Sequence, residues 1–188
     1  QQHIGAPCLP TVKKGDKVFV GSVVGDSDKY VSAPIHSSVS GTVEGMTKIQ
    51  LPSGVKTDAV IIASDGLMTP DPELKPHPVT TVDELLKAAH DSGLVGLGGA
   101  GFPTYIKLTP NKDKPIDTVI INAAECEPFI TADYREAIEN SESLMEGVFM
   151  LLDVLKPRQI IIAVEDNKPA AIEKLEKIAG DGRDKEHR

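Results

Sequence analysis

Two cysteines, Cys8 and Cys126, are all that the 188 residues contain. Two thiols cannot ligate a four-cysteine zinc or iron–sulfur site, and no C-x-x-C occurs. Nor do they make a disulfide scaffold, so a reducing compartment is the expected environment. Tryptophan is absent, and three Tyr with four Phe leave little surface for stacking nucleobases. Basic residues are scarce as well. Twenty Lys and Arg against 28 Asp and Glu leave a net charge of −8, opposite to the footprint of a nucleic-acid binder. No apolar run exceeds five residues, as at 160–164, against the ~18 or more that span a bilayer. No signal peptide is visible. The chain opens on Gln1 rather than Met, which predicts a piece of a longer protein.

Glycine (16) and proline (14) are plentiful, and unevenly placed. Residues 1–67 read as β structure, with Val18-Phe19-Val20, Val23-Val24, Val39, Thr42-Val43 and Val60-Ile61-Ile62 set between Gly-Asp and Ser-Gly turns. Residues 68–79 carry Pro70, Pro72, Pro76 and Pro78 and read as an extended linker. From 80 to 188 helices and strands alternate. Thr81 and Glu84 form a capping box before Val82, Leu85, Leu86 and Ala89 at helical spacing. Thr118-Val119-Ile120-Ile121 and residues 159–164 read as buried parallel strands. Helices are predicted over 132–155, in two pieces around Asn140-Ser141, and from Asn167 to about residue 179. The fold class is therefore α/β, with a right-handed βαβα unit that is half of an open sheet and stops short.

The densest glycine cluster is Gly96-Leu97-Gly98-Gly99-Ala100-Gly101-Phe102-Pro103. It formally matches G-x-G-x-x-G, but it follows a helix rather than a strand, so the match alone is weak. Without Cβ atoms such a loop lets backbone N–H groups approach an anion, and a helix expected over Thr104–Leu108 adds positive potential. A phosphate cradle and a tight structural turn both fit. Lys107 can supply a cation to the ligand or simply be a solvated lysine. The second cluster, Asn122-Ala123-Ala124-Glu125-Cys126-Glu127-Pro128, follows the first parallel strand, where open α/β sheets bind ligands. Asn122 can pair with a heterocycle edge, and Glu125 and Glu127 can accept from ribose hydroxyls; a solvated acidic loop is the plainer alternative. Carboxylates on both sides disfavour a thiolate at Cys126, which argues against thiol catalysis.

Together, residues 96–107 and 122–128 resemble the flavin-binding domain of the RnfC polypeptide of the Rnf electron-transport complex. More distantly they are similar to the FMN- and NADH-binding subunit of respiratory complex I. Gln2-His3-Ile4-Gly5-Ala6-Pro7 and Val12-Lys13-Lys14-Gly15-Asp16 carry the same resemblance. It implies a Rossmann-like, truncated flavin domain with a non-covalent FMN held at Gly96, Gly98, Gly99, Ala100, Gly101, Phe102 and Lys107, and Asn122 toward the flavin. Glu125 and Glu127 would face NADH. The cofactor would carry the chemistry, with no catalytic acid or base. Electrons would leave to 4Fe-4S clusters in a C-terminal part beyond these residues. Partners would be the other subunits of a membrane complex, and the location peripheral, on the cytoplasmic side of the membrane. Leu97 and Ala124 stand where the complex I pattern has Arg and Asp, so complex I contacts do not transfer in detail.

Residues 12–21 with Ala33-Pro34 and Ser40-Gly41-Thr42-Val43 also resemble a biotinyl/lipoyl-type barrel-sandwich hybrid. Carriers of that fold hold a cofactor on a hairpin lysine. Lys29 is the candidate, but the four residues before Pro34 are few for the strand required, so a structural domain is expected. His36 has no second ligand at metal spacing. The alternative is a non-catalytic docking or carrier subunit that has lost its flavin, as in a sodium-pumping quinone reductase; an unrelated nucleotide-binding protein is a third.

Overall fold

The computed structural model describes residues 2–51, 53–76, 78–97, 99–111 and 113–185. They fall into two compact units, 1–109 and 110–188. In the first, six strands among the described residues form two antiparallel sheets rather than a closed barrel. β1 (Leu9–Pro10), β3 (Val23–Asp26) and β4 (Ile35–His36) make one, in the order β1-β3-β4. β2 (Lys17–Val18), β5 (Gly41–Gln50) and β6 (Lys56–Ser64) make the other, in the order β2-β5-β6. Alternation along the strands turns Val18, Val24 and Val43 inward, where they are joined by Val12, Ile35, Val60 and Ile62. β-Branched side chains suit this pleated, half-buried surface. A bulge between Val43 and Gly45 shifts the β5–β6 register.

Two expectations need correction here. Val39 lies outside the strands, and β4 at Ile35–His36 takes its place in the sheet. The β2 strand ends at Val18, and Val20 instead bridges Pro70 in parallel, its N–H donating to the Thr69 carbonyl at 2.9 Å. The proline segment is therefore fastened at its start, and the Ser22 hydroxyl donates to Asp71 at 2.5 Å as well. Lys29 sits exposed on the connection between β3 and β4, 3.6 Å from Asp28.

Still in the first unit, α1 (Val82–Asp91) begins as its sequence predicts. The Thr81 hydroxyl accepts from the Glu84 N–H at 3.2 Å, and the Glu84 carboxylate accepts from the Thr81 N–H at 3.0 Å. Such a cap contributes about 1 kcal/mol. Leu85 and Ala89 are its buried face, and Gly93, just past the end, has a φ of +67°. The short α2 spans Thr104–Leu108.

In the second unit, β7 (Thr118–Asn122) and β8 (Gln159–Ala163) pair in parallel with Ile120 opposite Ile161. Two helices, α3 (Ala132–Glu139) and α4 (Ser141–Leu155), connect them, breaking at Asn140 as the sequence predicts. The final helix, α5 (Pro169–Lys185), runs past residue 179 and through Gly180, at a cost of roughly 1 kcal/mol for a glycine within a helix. Ala137, Met145, Val148, Ala171 and Leu175 form the core, with Ile121, Ile160 and Ile162 packed against it from the sheet. On the other face Ile120 is 62% exposed and Ile161 43%. Among the described residues, no helix is long and apolar enough to cross a membrane.

Candidate functional site

The glycine cluster forms a closed loop in the first unit. Val95 pairs with Pro103, the Gly96 N–H donates to the Phe102 carbonyl at 2.9 Å, and the Thr104 N–H donates to the Leu94 carbonyl at 2.9 Å. This neck joins the end of α1 to the start of α2. Lys107 sits one turn into α2, and its ammonium folds back toward the neck, 3.0 Å from where a Cβ on Gly96 would stand. At Gly101 φ is +64°, a conformation open to glycine and costly for other residues. A Cβ there would also lie 3.3 Å from the Gln2 carbonyl oxygen and the His3 Cα. Gly99 differs, since a Cβ there would meet nothing within 4 Å. Among the described residues, the N–H groups of Gly99, Ala100, Gly101 and Phe102 have no acceptor. Backbone donors in an open glycine loop, with a lysine ammonium at its neck, suit an oxyanion. Gly98 lies outside the described residues. Phe102 is about one-third exposed, and Leu97 almost fully so.

In the second unit the ladder continues one bond beyond β7, the Ala123 N–H donating to the Ala163 carbonyl at 2.9 Å. The chain leaves the sheet at that point. Exposed Asn122 accepts from the Ala124 N–H at 3.3 Å. Glu125 turns inward, with only 4% of its side chain exposed. Its carboxylate accepts from the N–H groups of Asp133 at 2.9 Å and Tyr134 at 3.3 Å, in the first turn of α3. The Lys168 ammonium lies 3.9 Å from it and 5.2 Å from the centre of the Tyr134 ring. Glu125 is thus fully engaged within the protein. Glu127 remains exposed, 3.7 Å from the Cys126 thiol. Partial burial, and then the negative charges of Glu125 and Glu127, hold the Asp133 carboxyl above its usual range. This strand end is anionic, which repels phosphate and suits hydroxyl or amide donors.

The two sequence clusters therefore have opposite preferences, anion acceptance in one unit and donor acceptance in the other. Asp133, Lys168 and Tyr134 were missed by sequence reasoning. Only the position of Lys168 next to the predicted cap Asn167 hinted at a role. Among the described residues, no three His, Cys, Asp or Glu side chains gather as a metal site.

The chain matches two family descriptions. Residues 1–67 match the RnfC barrel sandwich hybrid domain, and residues 89–187 match the Nuo51 FMN-binding domain. The class is that of FMN-binding domains. The chain belongs to the Nuo51 FMN-binding domain family, in the form that carries the RnfC β domain ahead of it. It is 44% identical to the C component of the Na(+)-translocating ferredoxin:NAD(+) oxidoreductase complex of Acetobacterium woodii, over 95% of this chain and 41% of that protein. To the C component of the proton-translocating ferredoxin:NAD(+) oxidoreductase complex of Clostridium ljungdahlii it is 41% identical, over 94% of this chain and 39% of the relative. To the C component of the ion-translocating oxidoreductase complex of Pseudomonas aeruginosa it is 39% identical, over 93% of this chain and 23% of the relative. The chain spans less than half the length of each of these relatives.

Proposed function

We propose that this chain is the flavin-carrying module of an ion-translocating ferredoxin:NAD-type oxidoreductase, peripheral to the membrane on its cytoplasmic side. The observation that carries this reading is the row of unaccepted N–H groups from Gly99 to Phe102, in a loop whose neck at Gly96 is reached by the Lys107 ammonium, in a chain of an FMN-binding family. In it, the FMN phosphate would rest on Gly96, Gly98, Gly99, Ala100 and Gly101. Lys107 would neutralise part of its charge, and Phe102 would pack on the nucleotide. Asn122 would pair with the flavin edge, and Glu127 would take hydroxyl donors of NADH. Glu125 acts one step removed, holding the start of α3. FMN held there would supply the chemistry that couples hydride transfer from a dihydronicotinamide to single-electron transfer toward the 4Fe-4S clusters expected in the longer polypeptide. The β domain is structural, and the α/β unit is one part of a Rossmann-like sheet.

The test is FMN titration of the full-length polypeptide that carries this sequence, followed by quenching of flavin fluorescence. Wild-type protein should retain FMN. Lys107→Glu should weaken binding about ten- to hundredfold, as expected for losing one charge-assisted phosphate contact. A full-length protein that retains no flavin would point to the docking-subunit alternative and end this reading.

A further inference from the structure

We propose that His3 is a positioning residue for the glycine loop, acting through an N-terminal strap formed by residues 2–8. The proposal deepens the flavin reading and rests on it for its binding arm.

The strap lies along residues 31–33 of the same unit. The Ala6 N–H donates to the Val31 carbonyl at 2.9 Å, and the Cys8 thiol donates to the Ala33 carbonyl at 3.2 Å. Partial burial and the charge of Asp26 keep that thiol protonated and so a donor. Between them His3 is buried, and both ring nitrogens are engaged. Nε2 is 3.1 Å from the Ala33 N–H, and Nδ1 is 3.0 Å from the Ile4 carbonyl oxygen. A backbone N–H can only donate and a carbonyl can only accept, so the ring is the neutral tautomer with its proton on Nδ1. The nearby Cys8 sulfur, 3.5 Å from Nε2, leaves that assignment intact because its proton goes to Ala33. Ala33 is itself 1% exposed, which makes it a firm anchor.

The strap in turn holds the loop. The Ile4 N–H donates to the Gly101 carbonyl at 3.3 Å, and Gln2 and His3 fill the space beside Gly101 that a side chain would need. A trans peptide is planar, so its C=O and N–H point in opposite directions. Fixing the Gly101 carbonyl on the strap therefore aims the Phe102 N–H away from it. The Lys107 ammonium lies 3.0 Å, the Phe102 carbonyl oxygen 3.7 Å and the Phe102 nitrogen 3.8 Å from the Cβ position of Gly96. One peptide plane beside the loop neck is thus held by a histidine almost a hundred residues earlier. Without the strap, the peptide between Gly101 and Phe102 can rotate, since glycine has few conformational limits.

Three forms of the full-length polypeptide test this: wild type, His3→Ala and His3→Gln. Glutamine carries an amide oxygen where Nε2 lies, so it restores the acceptor for Ala33. The expected results are FMN affinity at least tenfold weaker for His3→Ala and within about threefold of wild type for His3→Gln. Amide exchange should accelerate at Ile4, Gly96 and Thr104, whose N–H groups close the strap and the loop neck, in His3→Ala, while Val18 and Val43 in the β core stay protected. Nitrogen NMR of the wild-type ring should show the Nδ1–H tautomer. Equal FMN affinity and equal loop exchange in His3→Ala would overturn the proposal. Loss of protection throughout the β core, with no rescue by glutamine, would overturn it too, by making His3 a general stability residue. If wild-type protein takes no FMN, the flavin reading falls, and loop exchange alone decides the strap.

Discussion

Replacing Glu125 by Ala should cost the second unit about 2–3 kcal/mol, although the residue lies in a motif that resemblance assigns to NADH. The magnitude follows from its contacts. Its carboxylate is 4% exposed and accepts two backbone N–H groups, at 2.9 Å and 3.3 Å. Hydrogen bonds to a charged acceptor contribute roughly 1.5–3 kcal/mol each, with the longer one at the low end or below. The same negative charge sits at the N-terminus of α3, worth another ~0.3–1 kcal/mol. Against this, removal relieves Asp133, whose carboxyl Glu125 disfavours in its charged form, and water reaches the exposed side of the first turn. The net is about 2–3 kcal/mol, or a fall in Tm on the order of 10–20 °C for a unit of this size. Glu125→Gln keeps an acceptor and should lose about 1 kcal/mol. Glu127→Ala, at an exposed position, should stay within about 0.5 kcal/mol. Urea unfolding followed by circular dichroism at the helical minimum measures all three. An Ala variant at position 125 as stable as wild type, or a larger loss at Glu127, would refute the role of Glu125 as the cap of α3.

Three further outcomes follow from particular residues. Lys156 ends α4 with φ +48° and is exposed, so Lys156→Gly should stabilise the protein by about 0.5–1 kcal/mol, read as a higher denaturation midpoint. Gly99→Ala should leave stability unchanged while weakening FMN binding, whereas Gly101→Ala should cost about 1–2 kcal/mol even without ligand; thermal melts with and without FMN separate the two. Asp133→Asn should stabilise at neutral pH. A carboxyl held above its usual range contributes stability when protonated and loses it as pH rises through its folded-state titration, so the advantage should shrink as pH falls through the carboxylate range. Urea midpoints at pH 7 and pH 4 check the sign.

Local chemistry was legible in the sequence, and distant chemistry was not. Thr81 and Glu84 declared the start of α1 because a capping box is complete within four residues. The parallel strands β7 and β8 announced themselves as isoleucine runs, and the glycine loop as a cluster no ordinary turn needs. Glu125 was legible as an acid after a strand, but its partner N–H groups lie eight and nine residues on, beyond any local capping pattern. His3 was legible only as part of a family motif. Its ring bonds Ala33, and the strap it belongs to bonds Gly101, contacts that exist only once the chain has folded. The short strand at Ile35–His36 was missed because two residues carry no periodicity, while Val39 looked like a strand on propensity alone.

The absence of tryptophan has a practical consequence in the placement of the three tyrosines. Tyr30 and Tyr105 meet edge to face at 5.9 Å in the first unit, where the Tyr105 hydroxyl donates to the Tyr30 carbonyl and the His90 ring stands 5.0 Å away. Tyr134 lies alone in the second unit beneath the Lys168 ammonium. Each unit therefore carries its own optical label. With Tyr30 and Tyr105 both changed to Phe, the tyrosine emission of these 188 residues comes from the first turn of α3. The doubly substituted chain then reports on the Glu125 cap without any attached dye.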